Sequence, residues 1–233
     1  MNTYQPSVLV SDAPSQQRAD FIRRTYMHLA GAILAFIGLE CLFFNTGLPE
    51  AMVGLLVKSQ YSWLIVLGAF MLVSWVARGL AEAGVSRELQ YVGLGTYVLA
   101  ESIIFVPLLW FANKTCGPST IGIAGIITGL LFGGLTFTAF TSGSDFSFMG
   151  GILKIGGFVA LGVIVASIIF GFNLGVIFSA VMVLFAAGVI LYNTGAVLHR
   201  YNTDQHVAAS LSLFTAVALM FWYVLRILMR LRR

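Results

Sequence analysis

Polar residues fill roughly the first twenty positions of the chain, after which the sequence becomes apolar in seven long runs separated by short polar breaks. The runs fall at Tyr26–Phe44, Tyr61–Ala77, Leu89–Phe111, Ser119–Phe140, Gly151–Phe170, Leu174–Leu198 and Val207–Met229. Each is about 17–25 residues long, the length at which an α-helix crosses the roughly 30 Å hydrocarbon core of a bilayer. The runs are continuous and do not alternate, which argues for helices rather than barrel strands. The pattern predicts an all-α fold: a polytopic membrane protein whose seven transmembrane helices form one bundle over residues 21–233. Residues 1–20 lack the charged start and short apolar run of a cleaved signal peptide, and they read as a mostly disordered polar tail on the cytoplasmic side.

Composition strengthens this picture. Hydrophobic residues make up 59% of the chain and charged residues 9%, against soluble averages of about 45–50% and about 25%. The lipid bilayer is therefore the expected partner. A net charge of +4 does not point to nucleic acid, because Arg23, Arg24, Arg230, Arg232 and Arg233 flank spans, where headgroups lie. Glycine spacing at Gly122, Gly125, Gly129, Gly133 and Gly134 predicts close helix packing in lipid. Cys41 and Cys116 are placed too differently to suggest a disulfide, and two cysteines make no redox or metal framework.

Orientation follows from basic residues in short loops. With the N-terminus inside, Arg18, Arg23, Arg24, Arg78, Arg87, Lys154 and Arg200 fall on the cytoplasmic side. Lys58, Lys114, Arg226, Arg230, Arg232 and Arg233 fall outside, a near-even division of the 13 basic residues. Three arginines precede the first span and only Lys58 lies in the next loop, so the first-helix signal favours a cytoplasmic N-terminus. The arginines at the C-terminal end pull the other way, and a re-entrant last segment would leave both termini inside.

Acids inside spans are the informative residues, since each costs roughly 2.5–3.5 kcal/mol at a helix centre and faces a bundle interior or a wet cavity. Glu101 lies near the middle of the third span. It reads either as a protonatable, cation-binding group, a transient calcium ligand included, or as a neutral acid bonded to a neighbouring helix. Glu40, about one turn from the outer end of the first span, lies near enough to the interface to reach water and reads as structural. Asp145, in the stretch TSGSDFS, reads as the N-cap of the fifth span, with a gate role compatible with that one.

Asn193, within LYNTG, is placed inside the sixth span and must find hydrogen-bond partners in the bundle. His199 and His206 bracket the loop after it. They read either as a cytoplasmic pH sensor or as solvated polar residues. No HExxH helix, P-loop or GxSxG elbow occurs, and His28, His199 and His206 all lie near membrane boundaries. Catalysis is not expected, and neither is a cofactor.

FIRRTY before the first span, LAES in the third, FTAFTSGSDFSFMGG between the fourth and fifth and LYNTG in the sixth together resemble the Bax inhibitor family, also called the transmembrane Bax inhibitor motif or lifeguard family, in its bacterial form. The resemblance covers almost the whole chain after the tail. It implies six helices wrapped around a central C-terminal helix, a multi-pass protein of the bacterial plasma (inner) membrane, and a pH-sensitive calcium leak as in several members. A modulator of the membrane-bound AAA protease also belongs to that family, which implies a membrane-protease partner as the alternative. Glu101 matches the family's glutamate in the third helix and Asp145 its loop aspartate.

One departure bears on mechanism. Leak-forming members carry an aspartate pair, one in an LYD motif and one in the seventh helix. Here the first position is Asn193, and LSLFTA over 211–216 places Thr215 or Ala216 at the second. Two close carboxylates can share a proton and convert pH into a change of packing, whereas an amide and a hydroxyl cannot. The expected ion pathway is therefore Glu101, Asn193 and Asp145, with the aspartate-pair gate altered or absent. A transporter of another small solute is a weaker reading, because no repeat symmetry is visible.

Overall fold

The computed structural model describes residues 8–59, 61–81 and 86–232. Residues 1–7 of the tail and Arg233 lie outside them. Eight helices appear among the described residues: α1 (Ser15–Phe44), α2 (Leu48–Val57), α3 (Ser62–Ala81), α4 (Arg87–Cys116), α5 (Pro118–Ser142), α6 (Met149–Phe170), α7 (Val176–His199) and α8 (His206–Leu231). Seven of them are long and apolar enough to cross a membrane, and they coincide with the seven runs. α2 is an extra element. Its ten residues span only about 15 Å, too short to cross. It begins with Pro49 in its first turn and is tied to α4 where Trp110 Nε1 donates to Glu50 Oε1 at 3.0 Å.

α8 occupies the centre. It packs against α1, α3, α4, α5 and α7, and Tyr223 on α8 joins Ala160 of α6 in a small buried cluster. Its 26 residues form one unbroken helix of about 39 Å, which favours crossing over re-entry. At its end Arg232 donates to Thr120 Oγ1 at 2.9 Å, pinning α8 to the first turn of α5. α6 lies at the periphery, with only Ala160 and Ser167 buried, and its exposed apolar side chains such as Ile152, Ile155, Phe158 and Val159 are left for lipid.

Two expectations are corrected by packing. The tail is ordered from Val8 onward: the Val10 N–H donates to the Tyr201 carbonyl at 2.9 Å, and the Thr203 N–H donates to the Val8 carbonyl at 3.0 Å. Val10 is fully buried, and Arg18 Nε holds its carbonyl at 3.0 Å. The segment is thus strapped across the α7–α8 turn, and α1 starts at Ser15 directly after it. The glycine stripe on α5 does not make close helix contacts either. A Cβ added at Gly122, Gly125, Gly129, Gly133 or Gly134 would meet nothing within 4 Å. Close approach occurs instead at Gly93, where a Cβ would come within 2.6 Å of the Ala77 carbonyl oxygen, and at Gly150, Gly156, Gly188 and Gly195.

Candidate functional site

Every third or fourth residue of a helix shares one face, and on three helices such a face turns toward a common space. Trp63, Leu67, Phe70, Ser74 and Arg78 on α3, Tyr97, Glu101, Phe105 and Leu108 on α4, and Thr215, Leu219, Trp222 and Arg226 on α8 line a cavity of about 960 Å³. Ile164, Ser167 and the 171–174 segment after α6 complete the wall. The lining runs from Trp63, Phe111, Arg226 and the 171–174 segment at one end to Arg78, Tyr97, Glu101 and Thr215 at the other. Past that second end the helices pack tightly. Ala77, Ala81, Leu94, Val98, Leu213 and Phe214 are buried together there, and the α3–α4 contact at Gly93 leaves no room for even a methyl group.

Glu101 is the one carboxylate among the described residues of the lining, set against two guanidiniums, Arg78 and Arg226. It is 7% exposed. Its Oε2 has no hydrogen-bond partner, while the Tyr97 hydroxyl and the Arg78 guanidinium lie close enough to act on it. The Arg78 guanidinium carbon stands 6.0 Å from the Tyr97 ring centre, and Thr215 faces the same hydroxyl. Sequence reasoning placed Arg78 and Arg226 at membrane boundaries and missed them as lining. The available signal was their position: each shares a helix face with the aromatics Trp75 and Trp222.

The other predicted residues do not meet Glu101. Asn193 Nδ2 donates to the Ser212 carbonyl at 2.9 Å, a cross-link between α7 and α8, and Asn193 lies outside the cavity lining. Asp145 is exposed in the α5–α6 loop, where Oδ1 accepts the Ser147 N–H at 3.0 Å. The helix behind it starts only at Met149 with Phe148 at its cap position, so Asp145 closes a turn and does not cap α6. Interaction with Ser147, followed by the nearby Arg200, holds its carboxyl below the usual aspartate range. Glu40 was expected to reach water. It is 7% exposed, and both its oxygens lack partners.

The stretches DFSFMGG and LYNTG, far apart in sequence, pack on each other. The Phe146 ring rests on Gly195, the Tyr192 ring on Gly150, and Met149 and Leu153 on Gly188. Arg200 closes the corner: its guanidinium lies 4.2 Å from the Tyr192 ring centre, donates to the Tyr192 hydroxyl at 3.0 Å and stands 4.0 Å from Asp145. Glycines in both motifs leave room for these aromatic rings, which stand 3.0–3.2 Å from where a Cβ would lie at Gly150 and Gly195.

A match to the family described as inhibitor of apoptosis-promoting Bax1 runs over residues 18–233. The chain belongs to the Bax inhibitor family. It is also 35% identical over 112 residues to an uncharacterized protein of Pseudomonas aeruginosa, a match spanning 48% of this chain and 50% of that protein. The central C-terminal helix implied by the family resemblance is α8. The two expected histidines part company within the family fold. His206 joins His28 of α1, their ring centres 4.9 Å apart, through the Tyr91 hydroxyl, which lies 3.1 Å from His28 Nε2 and 3.4 Å from His206 Nε2. His199 stands apart near Asp145, its Nε2 buried without a partner. Among the described residues no group of three or more His, Cys, Asp or Glu could hold a metal ion.

Proposed function

We propose that the protein is a slow cation leak, with calcium the expected ion, and that Glu101, beside Arg78 and Tyr97 in the cavity, is the carboxylate the ion meets. The observation that carries this reading is that the one carboxylate among the described residues of the lining is buried with a bare oxygen. Arg78 beside it acts as a built-in competitor: a cation must displace the guanidinium to occupy Glu101, which keeps the leak slow. The closed end at Gly93 makes separation of α3 from α4 the opening motion. Under this reading the protein sits in a bacterial inner membrane with its N-terminus cytoplasmic, so the Trp63–Arg226 end of the cavity faces outward. Calcium release from liposomes loaded with a calcium dye tests it. Wild-type protein should leak faster than Glu101→Gln, and equal rates from protein-free and protein-containing vesicles would end the proposal.

A second reading, a non-transporting regulator that binds another membrane protein such as a membrane-bound AAA protease, is favoured by the two arginines that oppose one glutamate in the cavity. Crosslinking in native membranes should then recover the same partner repeatedly, and vesicles containing the protein should show no flux above background.

A further inference from the structure

A second concavity, of about 610 Å³, lies on the outer surface between α1 and α4. Gly31, Ala35 and Leu39 of α1 face Leu94, Gly95 and Val98 of α4 across it. The two glycines are not packing devices. A Cβ at Gly31 or Gly95 would meet nothing within 4 Å, so their missing side chains hollow out a floor that none of the described residues covers. From His28 to Leu39 the groove follows α1 for eleven residues, about 16 Å. That is close to half of the roughly 30 Å hydrocarbon core, the depth of one leaflet.

One end of the groove is polar. His28 and Tyr91 line it, and their rings stack at 5.4 Å. Both stand where the apolar runs of their helices begin, at headgroup level. Arg24 lies one turn before His28, its carbonyl 2.7 Å from His28 Nδ1, and Arg87 lies one turn before Tyr91. Both guanidiniums are close enough to act on neighbouring His206, with Asp204 the opposing acid. The ion pairs among the described residues are Arg23–Asp20 and Arg200–Asp145, so neither Arg24 nor Arg87 is spent on one.

We propose that the α1–α4 groove is a binding site for an anionic glycerophospholipid, its phosphate held by Arg24 and Arg87 and one acyl chain lying along Gly31 and Gly95. A basic, hydrogen-bonding end joined to a one-leaflet apolar channel complements that amphiphile. A transmembrane partner helix would continue through the second leaflet, where the groove ends. With the N-terminus cytoplasmic the site faces the inner leaflet.

The test is thermal unfolding of the full-length protein in a neutral detergent with added phosphatidylglycerol or phosphatidylcholine of the same chains. Phosphatidylglycerol should raise the melting temperature and phosphatidylcholine should not. Arg24→Gln and Arg87→Gln should each weaken the apparent affinity for phosphatidylglycerol about fivefold. Gly31→Leu with Gly95→Leu should fill the groove and abolish the shift while keeping the helical circular dichroism and a lipid-free melting temperature at or above wild type, since a Cβ at either position meets nothing within 4 Å and both exchanges gain helix propensity. Equal shifts from the two lipids, the same shift from inorganic phosphate, or a phosphatidylglycerol shift that survives the double leucine variant would each overturn the proposal. So would a finding that the leucine variant only converts a dimer to a monomer, which would make the groove a contact between copies.

Discussion

Gly93 presses its bare Cα so closely against α3 that a methyl group there would come within 2.6 Å of the Ala77 carbonyl oxygen. Backbone cannot retreat as a flexible side chain can, so α3 and α4 must separate to admit one. Gly93→Ala is expected to cost about 1–3 kcal/mol, the range of overpacked cores, and to lower the melting temperature in detergent. Gly129→Ala, which points into open space, should leave stability unchanged or raise it slightly through helix propensity. If the α3–α4 seal closes the cavity, Gly93→Ala should also speed calcium release from liposomes, and Gly129→Ala should not.

Asn193 donates to the Ser212 carbonyl, and a carboxylate could not. Asn193→Asp, which puts back the acid the family resemblance implies, should therefore destabilise the protein at neutral pH by about 1 kcal/mol, the low end of the cost of an unsatisfied polar group at a part-buried site. A protonated carboxyl can donate again, so the deficit should narrow as pH falls. The variant should not acquire the aspartate-pair gate, because Thr215 and Ala216 supply no second acid. Melting curves and liposome flux measured together over a pH series check both halves. A steep sigmoidal flux profile in Asn193→Asp alone would refute the argument.

The seven spans were legible because lipid imposes a length and a composition that few other structures share, and the burial of Glu101 was legible because an acid inside such a run is driven to face protein and not lipid. Other features depended on which face of a helix meets protein, and spacing does not report that. The evenly spaced glycines of α5 face open space, while isolated Gly93 and Gly195 make the close contacts. Arg78 and Arg226 read as flanking charges because they lie near span ends, yet their side chains line the cavity. The strap at Val8–Asp12 was hidden for a different reason: its partners, Tyr201 and Thr203, lie at the far end of the chain, and no local pattern announces such a pairing.

Asp145 offers a pH test outside the membrane. Its carboxyl titrates below the ordinary value of 3.8 in the folded protein, through Ser147 first and Arg200 after it. Its contribution to stability is therefore fully present above that ordinary value and is lost as pH falls through the lower folded one. Asp145→Asn should lower the melting temperature by the same small amount at pH 7 and pH 5, with the difference from wild type shrinking in stronger acid. Any change in flux between pH 5 and 8 must then arise from a group other than Asp145, and Asp145→Asn should leave the shape of the flux profile over that range unchanged.

Arg78 is expected to hold the leak back. Replacing it with Gln removes the guanidinium beside Glu101 and leaves the carboxylate free for an incoming cation, so calcium release should rise several-fold. Arg78→Lys, which keeps a positive charge, should stay closer to wild type. Combining Arg78→Gln with Glu101→Gln should bring flux back down, because the two residues act on one ion position. A rise that persists in the double variant would mean that the arginine acts on packing and not on Glu101.

Val10 is fully buried although it precedes α1, and its backbone is held from both sides by Tyr201 and Arg18. A strap of this kind stabilises the α7–α8 turn by covering apolar surface and by satisfying backbone groups the turn leaves open. Val10→Ala should therefore cost about 1–2 kcal/mol through lost burial, and Val10→Asp considerably more, since a polar carboxyl would replace a fully buried apolar side chain. Protease digestion gives an independent readout: in wild-type protein, cleavage between Val8 and Asp20 should be slow, and in Val10→Asp it should become fast before the bundle itself unfolds. Cleavage that is equally fast in both would show that the strap contributes nothing to holding the turn.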